Sequence, residues 1–229
     1  MVIGNGMLAK AFESYLDQED FIIFASGVSD STSADITAFE REIQLLTDTI
    51  KKNKDKYFVY FSTCSIYDPS MQRSHYVRHK IKAEELIINQ CQSFIIFRLT
   101  NPVGKTGNRH TLVNYLINHI AEKKEFAVWK NASRNIIDID DVYILCNEIL
   151  QQKLFTGSVV NIANPQNYTV PFIVENIETY FNTRARYSLI DTGGAPAIDT
   201  TAVNALFTKF NINFDEHYLQ KLLKKYFPQ

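Results

Sequence analysis

The sequence predicts an α/β fold with a mostly parallel sheet. Three observations carry this reading. Short apolar runs recur, as in Phe21-Ile22-Ile23-Phe24, Tyr57-Phe58-Val59-Tyr60-Phe61-Ser62-Thr63 and Phe94-Ile95-Ile96-Phe97. Helical patterns fall between them. The runs are continuously apolar rather than alternating, which suits strands covered on both faces.

The elements follow in order. Met1-Val2-Ile3 reads as a very short first strand, and residues 7–16 as the helix after it. Phe21 to Phe24 forms the second strand. Ile36, Phe39, Ile43, Leu46 and Ile50 recur at helical spacing. The strand closing at Thr63 comes next, then a helix carrying Tyr76 to about Gln90, then the strand at 94–97. Beyond Gly104 the pattern is irregular. Leu112, Leu116 and Ile120 suggest a helix, residues 141–150 another, and Val159-Val160-Asn161-Ile162 a strand. Three further helices are expected near Val170, Ala202 and Phe214, and Gly193-Gly194-Ala195-Pro196 is a loop. The expected organisation is a core over 1–165, with an insertion at about 105–135, and a C-terminal lobe over 166–229.

Composition narrows the function classes. Lys plus Arg total 24 against 25 for Asp plus Glu, so there is no electrostatic footprint for nucleic acid. No apolar run is long enough to span a membrane, and the N-terminus lacks the pattern of a signal peptide. Cys64, Cys91 and Cys146 are odd in number and widely spaced, which fits reduced thiols in a cytoplasm. Cys64 is expected to serve packing.

Thr63, Tyr76 and Lys80 are the candidate chemical group. Tyr76 and Lys80 stand four apart on a helix and share a face. A nearby cation favours the phenolate form of tyrosine, and a hydroxyl at a strand end can hold a substrate oxygen against that phenol. These are parts of a proton-transfer site for alcohol and carbonyl chemistry. Gly4-Asn5-Gly6-Met7-Leu8-Ala9 adds a G-x-G-x-x-[GA] pattern between a strand and a helix. Its glycines allow close backbone approach to a pyrophosphate, and the reading is dinucleotide binding rather than an ordinary tight turn. His75 and His79 could share a helix face as a metal pair. No third ligand is evident, so both are expected to face solvent and no metal site is expected.

Several motifs together resemble the extended short-chain dehydrogenase/reductase superfamily, in its epimerase/dehydratase-like branch acting on nucleotide sugars. They are the glycine turn, Phe24-Ala25-Ser26-Gly27, Phe61-Ser62-Thr63-Cys64-Ser65-Ile66-Tyr67, the Tyr76-x-x-x-Lys80 pair, Arg98-Leu99-Thr100-Asn101-Pro102-Val103-Gly104, Arg134-Asn135-Ile136-Ile137-Asp138-Ile139-Asp140-Asp141 and Val160-Asn161-Ile162-Ala163. Their joint order is the specific feature. The resemblance implies a Rossmann-like core with helices on both faces and a small C-terminal substrate lobe. It implies NAD or NADP as cofactor, held by Gly4, Gly6, Met7, Leu8, Ala25, Ser26, Gly27 and Lys80. Tyr76 would be the general acid/base, Lys80 would hold the nicotinamide ribose and depress the Tyr76 pKa, and Thr63 would orient the reacting oxygen. Asn101 and Arg134 would bind the sugar and its phosphates. A homodimer through the Tyr76 helix and the preceding one would use Val77, Ile81 and Ile88, residues that equally fit core packing.

Two departures from the family pattern stand out. Phe24 follows Gly6 too closely for the usual intervening strand–helix units, so the sheet should be truncated on one side, without the acidic residue that binds the adenosine ribose. Cys64-Ser65 stands where the family's dehydratases carry an Asp-Glu pair. Within that second departure, Asp68 also replaces a small glycine. The expected activity is therefore a nucleotide-sugar 4-ketoreductase or epimerase, in the cytoplasm. The alternative is a binding protein of the same fold without catalysis.

Overall fold

The computed structural model describes residues 1–228. In chain order the elements begin with β1 (Val2–Ile3), α1 (Met7–Ala11), β2 (Phe21–Phe24), α2 (Ile36–Lys52), β3 (Tyr57–Thr63), α3 (His75–Gln90), β4 (Phe94–Leu99) and β5 (Asn101–Val103). They continue with α4 (Leu112–Ala121), β6 (Glu125–Trp129), β7 (Ser133–Arg134), β8 (Ile136–Asp138), α5 (Ile139–Gln151), β9 (Ser158–Ile162) and β10 (Tyr168–Thr169). The last are α6 (Val170–Phe181), β11 (Arg186–Ile190), α7 (Asn204–Lys209) and α8 (Tyr218–Tyr226).

A five-stranded sheet in the order β1-β2-β3-β4-β9 is parallel throughout. Successive side chains of a strand point to opposite faces, and β3 divides its residues accordingly. Tyr57, Val59 and Phe61 enter a core with Phe12, Tyr15, Val142, Leu145 and Ile149. Phe58 and Tyr60 enter a second core with Leu46, Ile50, Ala83 and Ile87. All seven residues of β3 are buried, so its apolar continuity reflects two covered faces rather than one. A third core gathers Val113, Leu116, Ile120, Phe126, Ile173, Val174, Leu219 and Leu222 beside the sheet.

β1 is the outer strand of this sheet and pairs with β2 on one side only. The expected truncation is therefore present, and no strand bearing a ribose-binding acid lies beyond β1 among the described residues. The first helix is shorter than expected. It ends at Ala11 and gives way to a 3-10 turn at Glu13–Tyr15. The tighter winding lets Phe12 and Tyr15 both bury completely before the chain enters β2.

Other boundaries moved for local reasons. The fifth helix starts at Ile139 because the Asp138 carboxylate caps it, accepting from the Asp140 N–H at 2.9 Å. The last begins at Tyr218 rather than near Phe214, because Asp215 closes a turn by accepting from the His217 N–H at 3.0 Å. The pairs β5–β8, β6–β11 and β7–β10 occupy the stretch where the sequence pattern is irregular. They are short and escape a periodicity test. No helix among the described residues is long and apolar enough to cross a membrane.

Phe97 is fully buried in the middle of β4. Phe97→Ala should lower unfolding free energy by about 3–5 kcal/mol through lost burial and a residual cavity, measured by urea denaturation.

Candidate functional site

The C-terminal ends of β1, β2, β3 and β4 form one edge, and the predicted site residues collect along it. Gly4 follows β1 with φ at +127°, and a Cβ there would lie 2.5 Å from the Ala25 carbonyl oxygen. Only glycine fits this close crossing of two backbones. The turn therefore rests on the end of β2, beside Ala25, Ser26 and Gly27. Gly6 precedes α1, and a Cβ there would meet nothing within 4 Å. No side chain caps α1, whereas Asp35 caps α2 and Ser74 caps α3. Met7 and Leu8 turn toward the core.

α3 buries Tyr76 and Lys80 together, with His79 beside them. The Lys80 ammonium is 5.9 Å from the centroid of the Tyr76 ring. Its direct partners lie elsewhere. Lys80 Nζ donates to Glu42 Oε1 at 2.9 Å and to the Tyr60 hydroxyl at 3.1 Å. Tyr60 in turn donates to Glu42 Oε1 at 2.8 Å, and the Val28 N–H donates to Glu42 Oε2 at 2.8 Å. His79 Nε2 lies 2.8 Å from Glu42 Oε2 but off the line of a good N–H bond, so the contact is a close polar pair. The His79 ring stacks on Phe39 at 4.5 Å.

Burial sets the electrostatics of this cluster. It opposes the Lys80 charge, but Tyr60, Glu42 and Tyr76 outweigh it and hold the ammonium above its ordinary range. Burial also opposes the Glu42 charge. His79, Lys80 and the Val28 N–H overcome it and take the carboxyl down to about 2. Burial pushes the Tyr60 hydroxyl above its ordinary range. His79 is thus buried against a carboxylate, which corrects the expectation of a solvent-facing residue. His75 is exposed. Among the described residues no group of His, Cys, Asp or Glu is suited to hold a metal.

Thr63 ends β3 and caps a 3-10 turn formed by Cys64–Tyr67. Its hydroxyl accepts from the Ser65 N–H at 3.0 Å and donates to Ser65 Oγ at 2.9 Å. Thr63 is therefore engaged with Ser65, and Thr63, Tyr76 and Lys80 are not hydrogen-bonded to one another. The Cys64 thiol donates to the Arg98 carbonyl at 3.2 Å, and burial pushes it up to about 12. It is buried and also lines the small cavity beside the turn.

A cavity of about 90 Å³ opens beside this turn, with Ser65, Asp68, Thr100, Asn101, Arg134 and Asn135 among its lining residues. Asn101 donates its side-chain amide to the Asn135 carbonyl at 2.8 Å. Arg134 Nη1 donates to the Ser133 carbonyl at 2.9 Å and lies 3.8 Å from Asp68 Oδ2. Asp68 Oδ1 accepts from the Ser70 N–H and hydroxyl. A larger hollow of about 350 Å³ between α6 and α8 holds none of the expected site residues. The smaller cavity gathers Asn101 and Arg134, whereas Thr63, Tyr76 and Lys80 are not among its lining residues.

The structure thus brings Tyr76 beside Lys80, and Asn101 beside Arg134. It adds Glu42, which sequence reasoning passed over, and Ser65 and Asp68, which the sequence marked only as departures from the family pattern. Glu42 lies on the buried side of α2, where a carboxylate needs partners. That was the available signal. Arg98, quoted only as part of a motif, makes a two-point ion pair with Glu84 of α3, at 2.9 Å and 2.5 Å. It also donates to the Tyr67 hydroxyl at 2.9 Å.

The profile of the family described as "NAD dependent epimerase/dehydratase family" matches residues 5–163. No curated protein matches the chain in sequence. Among solved structures, UDP-glucuronic acid 4-epimerase from Bacillus cereus, in complex with UDP-glucuronic acid and NAD, aligns with a TM-score of 0.70 at 19% identity, covering 97% of this chain and 77% of its own. dTDP-glucose 4,6-dehydratase from Bacillus anthracis, in complex with NAD, aligns with a TM-score of 0.69 at 16% identity, covering 97% and 77%. RMD from Pseudomonas aeruginosa, complexed with NADPH, aligns with a TM-score of 0.69 at 15% identity, covering 89% and 90%. At such identities the likeness establishes the fold.

Glu42 should make stability pH-dependent in a definite direction. Its folded pKa of about 2 lies below the ordinary 4.5, so its contribution is complete above 4.5 and is lost as pH falls toward 2. Urea midpoints of wild type and Glu42→Gln should differ by the equivalent of about 3–5 kcal/mol near neutrality, and the gap should narrow across that acid window. Gly27 gives an independent check. A Cβ there would lie 2.6 Å from Lys80 Nζ and 3.0 Å from Glu42 Oε1. Gly27→Ala should cost about 1–3 kcal/mol by overpacking, read from the same denaturation curves.

Proposed function

This chain belongs to the NAD dependent epimerase/dehydratase family, and we propose that it is an NAD- or NADP-dependent nucleotide-sugar 4-ketoreductase or epimerase. The observation that carries the reading is the buried Lys80 ammonium 5.9 Å from the Tyr76 ring, the two residues one turn apart on α3. The names of the structural relatives support the substrate class.

The residues fit a dinucleotide in part. The open backbone at Gly6 and the Ala25–Gly27 strand end suit a pyrophosphate and its neighbouring ribose, and Lys80 retains a donor on that side. The adenosine half has no matching acidic strand, because β1 is the sheet edge. Gly4, Gly6, Met7, Leu8, Ala25, Ser26, Gly27 and Lys80 would hold the cofactor, which when bound supplies or accepts a hydride.

The chain's own groups do the rest. Tyr76 gives a proton to the sugar oxygen in reduction, or removes it in the first half of epimerisation. Lys80 sets a positive charge near the phenol ring and anchors the ribose. Thr63 would orient the reacting oxygen together with Ser65, the cavity-lining residue its hydroxyl donates to. Asn101 holds the sugar. Arg134, steadied near Asp68, meets the phosphates. Cys64 and Ser65 supply no carboxylate, which argues against a 4,6-dehydratase. Exposed Ile81 and Ile88 on α3 would pair with a second copy, while Val77 is core.

The second reading is a dinucleotide- or sugar-nucleotide-binding protein without turnover. The sheet edge at β1 favours it. A panel of 4-keto nucleotide sugars with NADH and NADPH separates the two. Tyr76→Phe should lower kcat by at least about 100-fold while leaving NADH affinity near wild type. Arg134→Ala should raise KM by about tenfold, the worth of one charge-assisted contact. Dinucleotide binding with no turnover on any sugar would favour the second reading.

A further inference from the structure

We propose that Glu42 is a positioning residue for the proton-transfer pair, holding the Lys80 ammonium beside Tyr76 with one N–H left for a bound ribose. The inference rests on the reading of Tyr76 and Lys80 given above.

A lysine ends in a flexible stem with three donors. In this chain two of the three are committed, to Glu42 Oε1 and to the Tyr60 hydroxyl. The third has no protein partner among the described residues, and the ammonium remains 5.9 Å from the Tyr76 ring. Glu42 itself cannot move freely. It is 4% exposed, and its carboxylate joins the Val28 N–H after β2, Tyr60 on β3, and His79 and Lys80 on α3. His79 is steadied by stacking on Phe39 of the same helix as Glu42. The missing Cβ of Gly27 leaves the space that the pair fills. One carboxylate thus ties three elements around the lysine. An ion pair serving packing alone would not need to hold a lysine with an uncommitted donor 5.9 Å from the Tyr76 ring.

The test uses the full chain labelled with 15N-lysine. The Lys80 ammonium signal is assigned with Lys80→Arg, and NADH affinity is measured by fluorescence on the same samples. Wild type should show an ordered, slowly exchanging Lys80 ammonium. Glu42→Gln should lose that signal and bind NADH at least about tenfold more weakly, as expected for loss of one charge-assisted contact. Glu42→Asp, a methylene short with its charge kept, should fall between them. Folding is checked by circular dichroism. A folded Glu42→Gln with wild-type NADH affinity overturns the proposal. Should Glu42→Gln fail to fold, a Glu42→Asp variant equal to wild type in both readouts overturns it instead. A wild-type chain that binds neither NADH nor NADPH would sink the functional reading. The ammonium signal then decides the inference, and its survival in the Glu42 variants overturns it.

Discussion

A carboxylate taken out of water must find partners or lose its charge, and two such groups organise this site. Glu42 on α2 gathers Lys80, Tyr60, His79 and the Val28 N–H. Glu84 on α3 gathers Arg98 and the Ser62 hydroxyl. Each joins a helix to the strand ends beside it. The helix that carries Tyr76 is therefore locked to β3 and β4 by ionic contacts near the chemistry and by apolar packing of Ala83 and Ile87 farther along. The placement of Tyr76 follows from that arrangement. So does the turn beyond Thr63, because Arg98 also reaches Tyr67 at its end.

The sheet edge shapes the other half of the account. With β1 outermost, the glycine turn rests on β2 alone, and the close crossing of Gly4 over Ala25 keeps it there. In the proposed reading, the glycine turn would serve the pyrophosphate and the Tyr76–Lys80 pair the proton transfer. The adenosine side has no strand to lie against. In that reading the affinity for a dinucleotide would rest on the turn, the Ala25–Gly27 segment and Lys80, which would make the geometry around Lys80 more consequential than it would be beside a full pocket.

Much of this was legible in the residues. The central strands β2, β3 and β4 were readable because both faces are covered, so that Phe58 and Tyr60 are as apolar as Val59 and Phe61. The shortened N-terminal half was readable from the spacing of Gly6 and Phe24. The short strands β5 to β8, β10 and β11 were not, since two to five residues carry no usable period. Within the site, Tyr76 and Lys80 were visible as an i, i+4 pair. The partner of Lys80 was not, because Glu42 is distant in sequence and looks like one of many helix carboxylates until its helix is docked. His79 misled for the same reason: its burial depends on Phe39 and Glu42 from another helix. Thr63 was placed at the strand end as expected, but its engagement with Ser65 belongs to the turn geometry.

The central claim is that Lys80, fixed by Glu42, meets a nicotinamide ribose beside Tyr76 at the end of β3. The most direct measurement is a crystal structure of the chain grown with NADH. The account predicts a dinucleotide across the Gly4–Gly6 turn, a ribose hydroxyl within hydrogen-bond distance of Lys80 Nζ, and the Glu42–Lys80 pair intact. A dinucleotide bound away from Lys80, or a Lys80 that leaves Glu42 to reach it, would contradict the account.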